Sequence, residues 1–249
     1  MTSGESARFL EAQRDFFEDA DPAHFQWQTS NPYVSRTERE LLKGFPIASR
    51  TRFLEVGCGE GANIANLLFD GPPDVQAVGI DLFERKVAFA ARQGIPARFV
   101  CGDALRLPFG GASFDLVLCR DVLHHLADRE GALRELRRVA KLGATVWVVE
   151  PNGRNPLMSL LALLRPHERG LRSNSGRTLS DLVAPYFRET RLEYRQPMPI
   201  YRLVLHYQVG LPRLASSGIF RLVLDGWEAL VRFLIPRSVW AYLVIRAEA

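Results

Sequence analysis

The residues Arg52-Phe53-Leu54-Glu55-Val56-Gly57-Cys58-Gly59-Glu60-Gly61 decide the fold of this chain. Their first half is a short apolar run that is typical of a buried strand, and their second half is a glycine-rich turn. Because glycine has no Cβ and tolerates positive φ, the backbone of such a turn can approach a ligand closely. A helix predicted from Ala62 to about Phe69 would aim its N-terminal N–H groups at that ligand. The stretch therefore predicts a strand, a ligand-binding turn and a helix, in that order.

On both sides of this stretch, short apolar strands alternate with helices. Strands are also predicted at 75–80, 97–101, 114–119, 144–150, 190–194 and 238–246, and helices at 83–93, 129–140 and 178–187. This alternation is typical of a parallel sheet with helices on both faces. We expect an α/β fold with a Rossmann-like, mostly parallel seven-stranded sheet, N-terminal helices and a helical insertion before the last strand.

The pattern divides the chain into three regions of one compact domain. Residues 1–44 are predicted as an N-terminal helical cap, with one helix at 7–19 and a second that Thr37 caps and Pro46 closes. Residues 45–150 are predicted as the ligand-binding core. Residues 151–249 are predicted to complete the sheet and to add two apolar insertions.

Five motifs along the core resemble the class I S-adenosylmethionine-dependent methyltransferases, particularly the small-molecule branch that includes the ubiquinone/menaquinone-biosynthesis type. They occur in the order of that family: Glu55 to Gly61; Gly79-Ile80-Asp81; Gly102-Asp103-Ala104 with Leu107-Pro108-Phe109; Phe114-Asp115-Leu116-Val117 running to His124-His125-Leu126; and Leu133 to Val139. The family usually has a Pro-Gly-Gly turn after that helix, where this chain has Lys141-Leu142-Gly143-Ala144. The flanks, 1–44 and 151–249, give no match that identifies a substrate.

The resemblance implies a Rossmann-like domain that binds S-adenosylmethionine, and it gives roles to the residues of the matching motifs. Glu55 would help to anchor the amino end of the cofactor, and Asp81 would accept hydrogen bonds from the ribose hydroxyls, since a charged acceptor suits two vicinal donors. Asp103 would accept from the adenine amino group. The further cofactor-binding residues would be Gly57, Cys58, Gly59 and Gly61 beneath the methionine part, Leu82, Phe83 and Ala104 at the adenine, and Cys119 and Arg120 at the methionine end.

Other readings of the glycine turn are disfavoured. A dinucleotide site usually spaces its glycines G-x-G-x-x-G, whereas the third glycine here comes one residue early, at Gly61. Together with Asp103, this spacing argues against a nicotinamide-dependent oxidoreductase. A non-catalytic subunit that keeps the cofactor fold stays open as an alternative.

Methyl transfer from a sulfonium needs alignment of the reacting atoms, and it needs a base only if the acceptor must lose a proton. His124 and His125 follow the fourth strand, close to where the resemblance places the methyl group, and are the candidate catalytic bases. Either could instead be a packing or capping residue. His167 and His206 are weaker candidates in the acceptor region, and no metal site is expected.

Two apolar segments are expected near the acceptor. Residues 157–164 are rich in leucine, and residues 219–235 form an apolar helix with one polar stripe: Arg221, Asp225, Glu228 and Arg232. Arg221 could pair with Asp225, and Glu228 with Arg232, along that stripe. The helix could roof a pocket, lie on a membrane surface, or pack in a dimer or a core. With the arginine-rich loop 165–177, these segments favour a small amphiphilic or aromatic acceptor and O-methylation.

Charge is unevenly distributed along the chain. Residues 1–150 hold 18 basic and 21 acidic residues, whereas residues 151–249 hold 14 and 7. No nucleic-acid motif accompanies the basic region, so nucleic acid is not an expected partner. A small-molecule acceptor is expected, while a homodimer and a peripheral membrane contact, including a lipid or quinone precursor as acceptor, stay open.

The sequence also indicates a location. Cys58, Cys101 and Cys119 are widely spaced and read as reduced thiols. The N-terminus lacks the apolar core of a signal peptide, and no uncharged run approaches the roughly 18 residues of a membrane span. We expect a cytoplasmic protein, with membrane-peripheral placement open as an alternative.

Overall fold

The structure is a computed structural model and describes residues 18–208 and 210–249. Almost all of the helix predicted at 7–19 lies outside the described residues. The strands are β1 (Arg52–Val56), β2 (Gln76–Asp81), β3 (Ala97–Cys101), β4 (Phe114–Arg120), β5 (Ala140–Pro151), β6 (Arg188–Arg195) and β7 (Tyr242–Glu248). The α-helices are α1 (Pro22–Ser30), α2 (Pro32–Leu41), α3 (Ala62–Leu68), α4 (Glu84–Ala90), α5 (Arg129–Val139), α6 (Pro156–Leu164), α7 (Gly176–Val183), α8 (Tyr201–Val204) and α9 (Gly218–Leu234). Short 3-10 turns occur at Leu123–His125, Pro166–Ser173, Pro212–Ser216 and Arg237–Val239.

The seven strands form one sheet in the order β3-β2-β1-β4-β5-β7-β6. The strands from β1 to β5 pair in parallel, whereas β7 runs antiparallel to both of its neighbours, β5 and β6. The predicted Rossmann-like, mostly parallel seven-stranded sheet is confirmed. Between β1 and β4 the strand order reverses, and in open sheets of this kind a crevice for ligands lies at the carboxyl ends of such strands.

Helices cover both faces of the sheet, as predicted. Successive strand residues point to opposite faces, so Leu54 packs toward one core while Phe53 packs toward the other. The first core contains residues of α5 and α7, including Leu133, Leu136, Leu179 and Val183. The second contains residues of α2, α3 and α6, including Leu41, Ile64, Met158 and Ala162.

The N-terminal helices pack against the insertion before β7. Their shared core contains Trp27, Tyr33, Val34, Tyr201, Leu205, Ala215 and Leu224. Asn31, not Thr37, caps α2, because the Asn31 side chain accepts from the N–H groups of Tyr33 and Val34. Thr37 lies inside the helix, where its hydroxyl donates to the Tyr33 carbonyl. The predicted cap residue was therefore wrong, and so was Pro46 as its end, since the helix ends at Leu41.

Three predicted boundaries shift for local reasons. Helix α7 begins at Gly176 because Ser175 and Thr178 form a reciprocal capping box, which makes Thr178 the third helical residue. Strand β5 begins at Ala140, since Ala140 already pairs with Phe114. Strand β7 begins at Tyr242, after the 3-10 turn at Arg237–Val239.

The polar stripe of α9 faces the protein. Among the described residues, neither of the predicted pairs, Arg221–Asp225 and Glu228–Arg232, forms an ion pair. Asp225 instead pairs with Arg36 of α2 at 2.5 Å. The apolar side of α9 faces outward, and no α9 residue lines the two cavities described below, so the structure offers no support at those cavities for α9 as a pocket roof. Within 18–208 and 210–249, no helix is both long and apolar enough to cross a membrane.

Candidate functional site

Two adjoining cavities lie at the carboxyl ends of the central strands. The loop cavity, about 290 Å³, is bordered by the glycine turn after β1 and by residues that follow β2, β3 and β4. The cap cavity, about 550 Å³, is bordered by the N-terminal segment, α6 and the insertion around α8. Both cavities share the lining residues His24, Gln28, Glu60, Lys86, Asp121 and His125. A molecule in one cavity can therefore contact a molecule in the other.

The glycine turn forms one wall of the loop cavity. The N–H groups of Gly57 and Cys58 both donate to the Ile80 carbonyl, which fixes the turn to β2. Gly57 has φ 75°, and a Cβ there would lie 2.1 Å from a methyl carbon of Val122. Gly59 has φ 50°, and a Cβ there would meet nothing within 4 Å. Position 57 therefore requires glycine, because a side chain there would clash with Val122. At position 59 the missing side chain leaves open space in the cavity wall.

Asp81, the last residue of β2, and Asp103, which follows β3, face the same cavity. Asp81 accepts from the N–H of Gly59 at 2.8 Å and from the N–H of Phe83 at 3.1 Å. Burial raises the pKa of Asp81, although these two hydrogen bonds act in the opposite direction. Asp103 accepts from the N–H of Leu105 at 2.8 Å through one oxygen. Both carboxylates are thus fixed by backbone donors at the edge of the cavity.

Most of the residues predicted to bind the cofactor line the loop cavity together. They are Gly57, Cys58, Gly59, Asp81, Leu82, Phe83, Asp103, Ala104 and Arg120, and His125 joins them. Glu55, Gly61 and Cys119 do not line it. Cys119 is buried in the core between the sheet and α5, and Gly61 precedes α3 beside Ile95 and Phe99.

Glu55 lies behind the cavity wall and is fully buried. One of its oxygens accepts from the Asn63 side chain at 2.6 Å, while the other, Oε2, has no hydrogen-bond partner in the described part of the chain. Burial raises the pKa of Glu55 to about 8. Asn63 lines the cavity, so Glu55 contacts the cavity wall through Asn63. The sequence analysis had expected Glu55 to face the cofactor directly.

Arg120 belongs to a buried ionic network. Its guanidinium donates to the side-chain oxygen of Asn63 at 2.7 Å and to Asp121 at 3.2 Å, and it also pairs with Glu38 of α2. Glu38 accepts in addition from Arg202 at 2.7 Å and from the Tyr201 hydroxyl at 3.2 Å. Burial alone would raise the pKa of Glu38, but Arg202 and Arg120 lower it to about 2. This network ties the cap to the end of β4.

His124 lies between two carboxylates. Its Nδ1 is 2.6 Å from Glu150, and its Nε2 is 3.2 Å from Glu168. Burial alone would lower the pKa of His124, but the two carboxylates raise it to about 10. A protonated ring that donates from both nitrogens cannot accept a proton from an acceptor molecule. The structure therefore argues against His124 as the base.

His125 lines both cavities and stands beside His124, with 3.9 Å between the ring centroids. Burial and the neighbouring positive charge of His124 lower the pKa of His125 to about 3, so its ring is neutral at neutral pH. The ligand atoms of His124, His125 and Glu168 lie within 4.8 Å of one another. Among the described residues this is a grouping that a metal ion could use, which the sequence did not indicate.

The cap cavity contains residues that the sequence analysis missed. Asp121, at the end of β4, lines both cavities and has φ 55°. Asp21 lines the cavity and accepts a hydrogen bond from the Tyr207 hydroxyl. Arg202 of α8 also lines the cavity. His206 lines the cavity, with its pKa lowered to about 4 by burial and by Arg165, whereas His167 does not line it. Asp121 follows Arg120 directly, so its place at a strand end was a signal available in the sequence.

Comparisons with known proteins agree with this geometry. Residues 54–148 match a family model described as a methyltransferase domain. Ajmaline N-methyltransferase of Rauvolfia serpentina is 36% identical over 125 residues, which are 48% of this chain and 42% of that protein. Demethylmenaquinone methyltransferase of Roseiflexus sp. (strain RS-1) is 39% identical over 114 residues, which are 43% of this chain and 46% of that protein. The chain thus spans less than half the length of both relatives.

A solved structure shows the same fold over most of the chain. Phosphoethanolamine N-methyltransferase 2 of Haemonchus contortus, in complex with S-adenosyl-L-methionine, superposes with a TM-score of 0.64 at 18% identity, covering 90% of this chain and 55% of that one. The motifs from Glu55 to Val139 lie inside the matched domain. Residues 54–148 therefore match a methyltransferase domain, and the two relatives named above are methyltransferases of small molecules.

Proposed function

We propose that this protein transfers the methyl group of S-adenosylmethionine to a small, amphiphilic or aromatic acceptor in the cap cavity, and that the accepting atom is oxygen. The observation that carries the proposal is the junction of the two cavities. His125, Asp121 and four other residues line both of them. A cofactor in the loop cavity and an acceptor in the cap cavity would therefore meet at these residues.

The loop cavity fits the cofactor by the chemistry of its walls. Gly59 leaves open space where a side chain would stand, and Asp81 and Asp103 offer carboxylate oxygens of the kind that hydroxyl and amino donors need. We assign ribose binding to Asp81 and adenine binding to Asp103, with Leu82 and Phe83 beside the ring. When bound, the cofactor supplies a methyl group that is already activated on a sulfonium sulfur.

The residues at the junction then align the acceptor and exclude water. His125, which is neutral, can accept a hydrogen bond from an acceptor hydroxyl and hold that oxygen toward the loop cavity. Its low pKa makes it a weak general base, so we assign it mainly to positioning and to short-lived proton acceptance. Glu55 holds Asn63 in the cavity wall, as a positioning residue.

The walls of the cap cavity favour an amphiphilic acceptor. Met158 and Leu161 of α6 and the ring of Tyr242 supply apolar surface, while Arg165 and Arg202 supply positive charge. The names of the two relatives, one an N-methyltransferase and one acting on demethylmenaquinone, make nitrogen or a quinone precursor the nearest alternatives. The alternative from another functional class is a non-catalytic subunit that binds the cofactor. A cytoplasmic location stays a prediction.

Calorimetric titration with S-adenosylhomocysteine tests the cofactor site. We expect micromolar binding by the parent and at least tenfold weaker binding by Asp81→Ala, about 1.4 kcal/mol. Asp74→Ala, at an exposed loop carboxylate that pairs with Ser49, is the matched control and should bind like the parent. A folded parent that does not bind would refute the proposal. Binding without methylation of any phenol, alcohol or amine in a substrate screen would favour the non-catalytic subunit.

A further inference from the structure

Helix α9 is amphipathic with its apolar side turned away from the protein. Phe233, Ile219 and Leu222 have exposed fractions of 89%, 78% and 72%. The outer face, as we call it, consists of Ile219, Leu222, Val223, Leu230, Phe233 and Leu234. These residues recur at helical spacing and form one continuous stripe. Scattered apolar side chains on a surface are ordinary, but a contiguous stripe of this length marks an interaction site.

The orientation of α9 is fixed by its inner side. Leu224 packs in the core that α1, α2 and α8 share, and Val231 is also buried. Asp225 pairs with Arg36 of α2, and the Ser217 side chain caps the helix by accepting from the Phe220 N–H. Turning the outer face inward would break the ion pair and expose Leu224. The apolar stripe is therefore a stable feature of this surface.

The charges around the outer face indicate what covers it. In residues 210–239 the acidic residues are Asp225 and Glu228, both on the inner side of α9, while four arginines are present: Arg213, Arg221, Arg232 and Arg237. Arg213 precedes the helix and Arg237 follows it, and both are exposed. The helix has 17 residues, about 25 Å at 1.5 Å per residue. Positive charge thus stands at both ends of an apolar stripe.

We propose that the outer face of α9 docks on an anionic lipid membrane, with the helix lying in the plane of the interface. Apolar side chains of an interfacial helix enter the boundary between headgroups and acyl chains, and flanking arginines bind lipid phosphates. In a two-fold dimer through the same face, both copies would bring identical patches together, arginines included. Charge complementarity therefore favours anionic lipid over a second copy. This surface is separate from both cavities, so its role does not depend on the proposed catalysis.

Co-sedimentation of the full chain with vesicles tests the proposal. The vesicles contain phosphatidylcholine alone or with about 30% phosphatidylglycerol. We expect clear binding to the anionic vesicles, weaker binding to the neutral ones, and a loss of binding as salt concentration rises. The double variant Leu222→Gln/Phe233→Gln should bind at least about tenfold less, because two large apolar side chains lose their burial.

Two further variants separate the contributions. Arg213→Gln/Arg237→Gln should lower the preference for anionic vesicles. Leu142→Gln replaces a leucine that is also highly exposed but is the third residue of β5, outside the outer face of α9, and it should bind like the parent. The proposal is overturned if the parent binds neither kind of vesicle or if the α9 double variant binds as the parent does. It is also overturned if light scattering shows a dimer that this variant dissociates while vesicles bind neither form.

Discussion

His124 Nδ1 lies 2.6 Å from the carboxylate of Glu150, and both side chains are almost fully buried. The other oxygen of Glu150 accepts from the backbone N–H groups of Val122 and Leu123 at 3.0 and 2.7 Å. One carboxylate at the end of β5 therefore fixes both the turn that carries the two histidines and the charge of the first. Through that charge it also keeps the second histidine neutral.

The first prediction concerns stability and pH. Because the pKa of His124 is raised to about 10 in the folded protein, from about 6.5 in an unfolded chain, its contribution is fully present below pH 6.5 and is lost as pH rises through about 10. Glu150→Gln should lower the free energy of unfolding by about 3 kcal/mol near neutral pH, and the difference should shrink above pH 10. Urea unfolding at several pH values measures this. A constant difference would contradict the assigned charge state.

The second prediction concerns His125. With an oxygen acceptor, His125→Ala should lower kcat by about 100-fold, because the acceptor oxygen loses its alignment, while affinity for S-adenosylhomocysteine stays close to that of the parent. Because the pKa of His125 is lowered to about 3, the parent should show no acid limb due to this residue between pH 5 and 8. Steady-state rates across that range provide the measurement. An acid limb with a midpoint near 6.5, abolished by the substitution, would show that His125 titrates as an ordinary histidine.

The third prediction separates two glycines of the same turn. Gly57→Ala should lower the free energy of unfolding by about 2 kcal/mol or more, since the new Cβ would clash with Val122. Gly59→Ala should lower it by about 1 kcal/mol, because only the positive φ is strained, yet its Cβ would enter open space in the cavity wall. Urea unfolding and calorimetry distinguish the two effects. We expect Gly59→Ala to weaken cofactor binding more than its stability change explains.

The fourth prediction concerns the network under the cap. Glu38→Gln should lower the free energy of unfolding by about 3 kcal/mol, because Arg120 and Arg202 would lose their shared partner in a buried place. Glu40→Gln, which removes an exposed pair with Lys43 on the same helix, should cost less than about 1 kcal/mol. Thermal or urea unfolding compares them.

The same network predicts how the parent responds to acid. Since the pKa of Glu38 is lowered to about 2, its contribution is present above about pH 4.5 and is lost as pH falls through 2. The difference between the parent and Glu38→Gln should narrow over that interval. If both glutamate variants lost the same stability at neutral pH, Glu38 would not hold the cap.

Several features could be predicted because they depend on residues close together in the chain. The strand, turn and helix around Gly57 and Gly59 follow from apolar spacing and from glycine itself. Asp81 ends β2 and Asp103 follows β3 by two residues, and parallel strands bring their carboxyl ends to one edge, so the carboxylates meet in one cavity. Glu55 does not line that cavity, because its side chain is fully buried and accepts from Asn63, a contact that the sequence did not indicate.

The partners of His124 could not be predicted, since Glu150 and Glu168 are 26 and 44 residues away. The apolar spacing of α9 determined that it is an amphipathic helix with a polar stripe. Which side faces the protein was decided by Arg36, 189 residues before Asp225, and by the core around Leu224. Sequence alone thus determined the sheet, the glycine turn and the placement of Asp81 and Asp103 at strand ends, because local spacing fixes them. The charge states of the two histidines and the outward apolar face required tertiary structure, because burial and distant partners set a pKa and choose which side of a helix is covered.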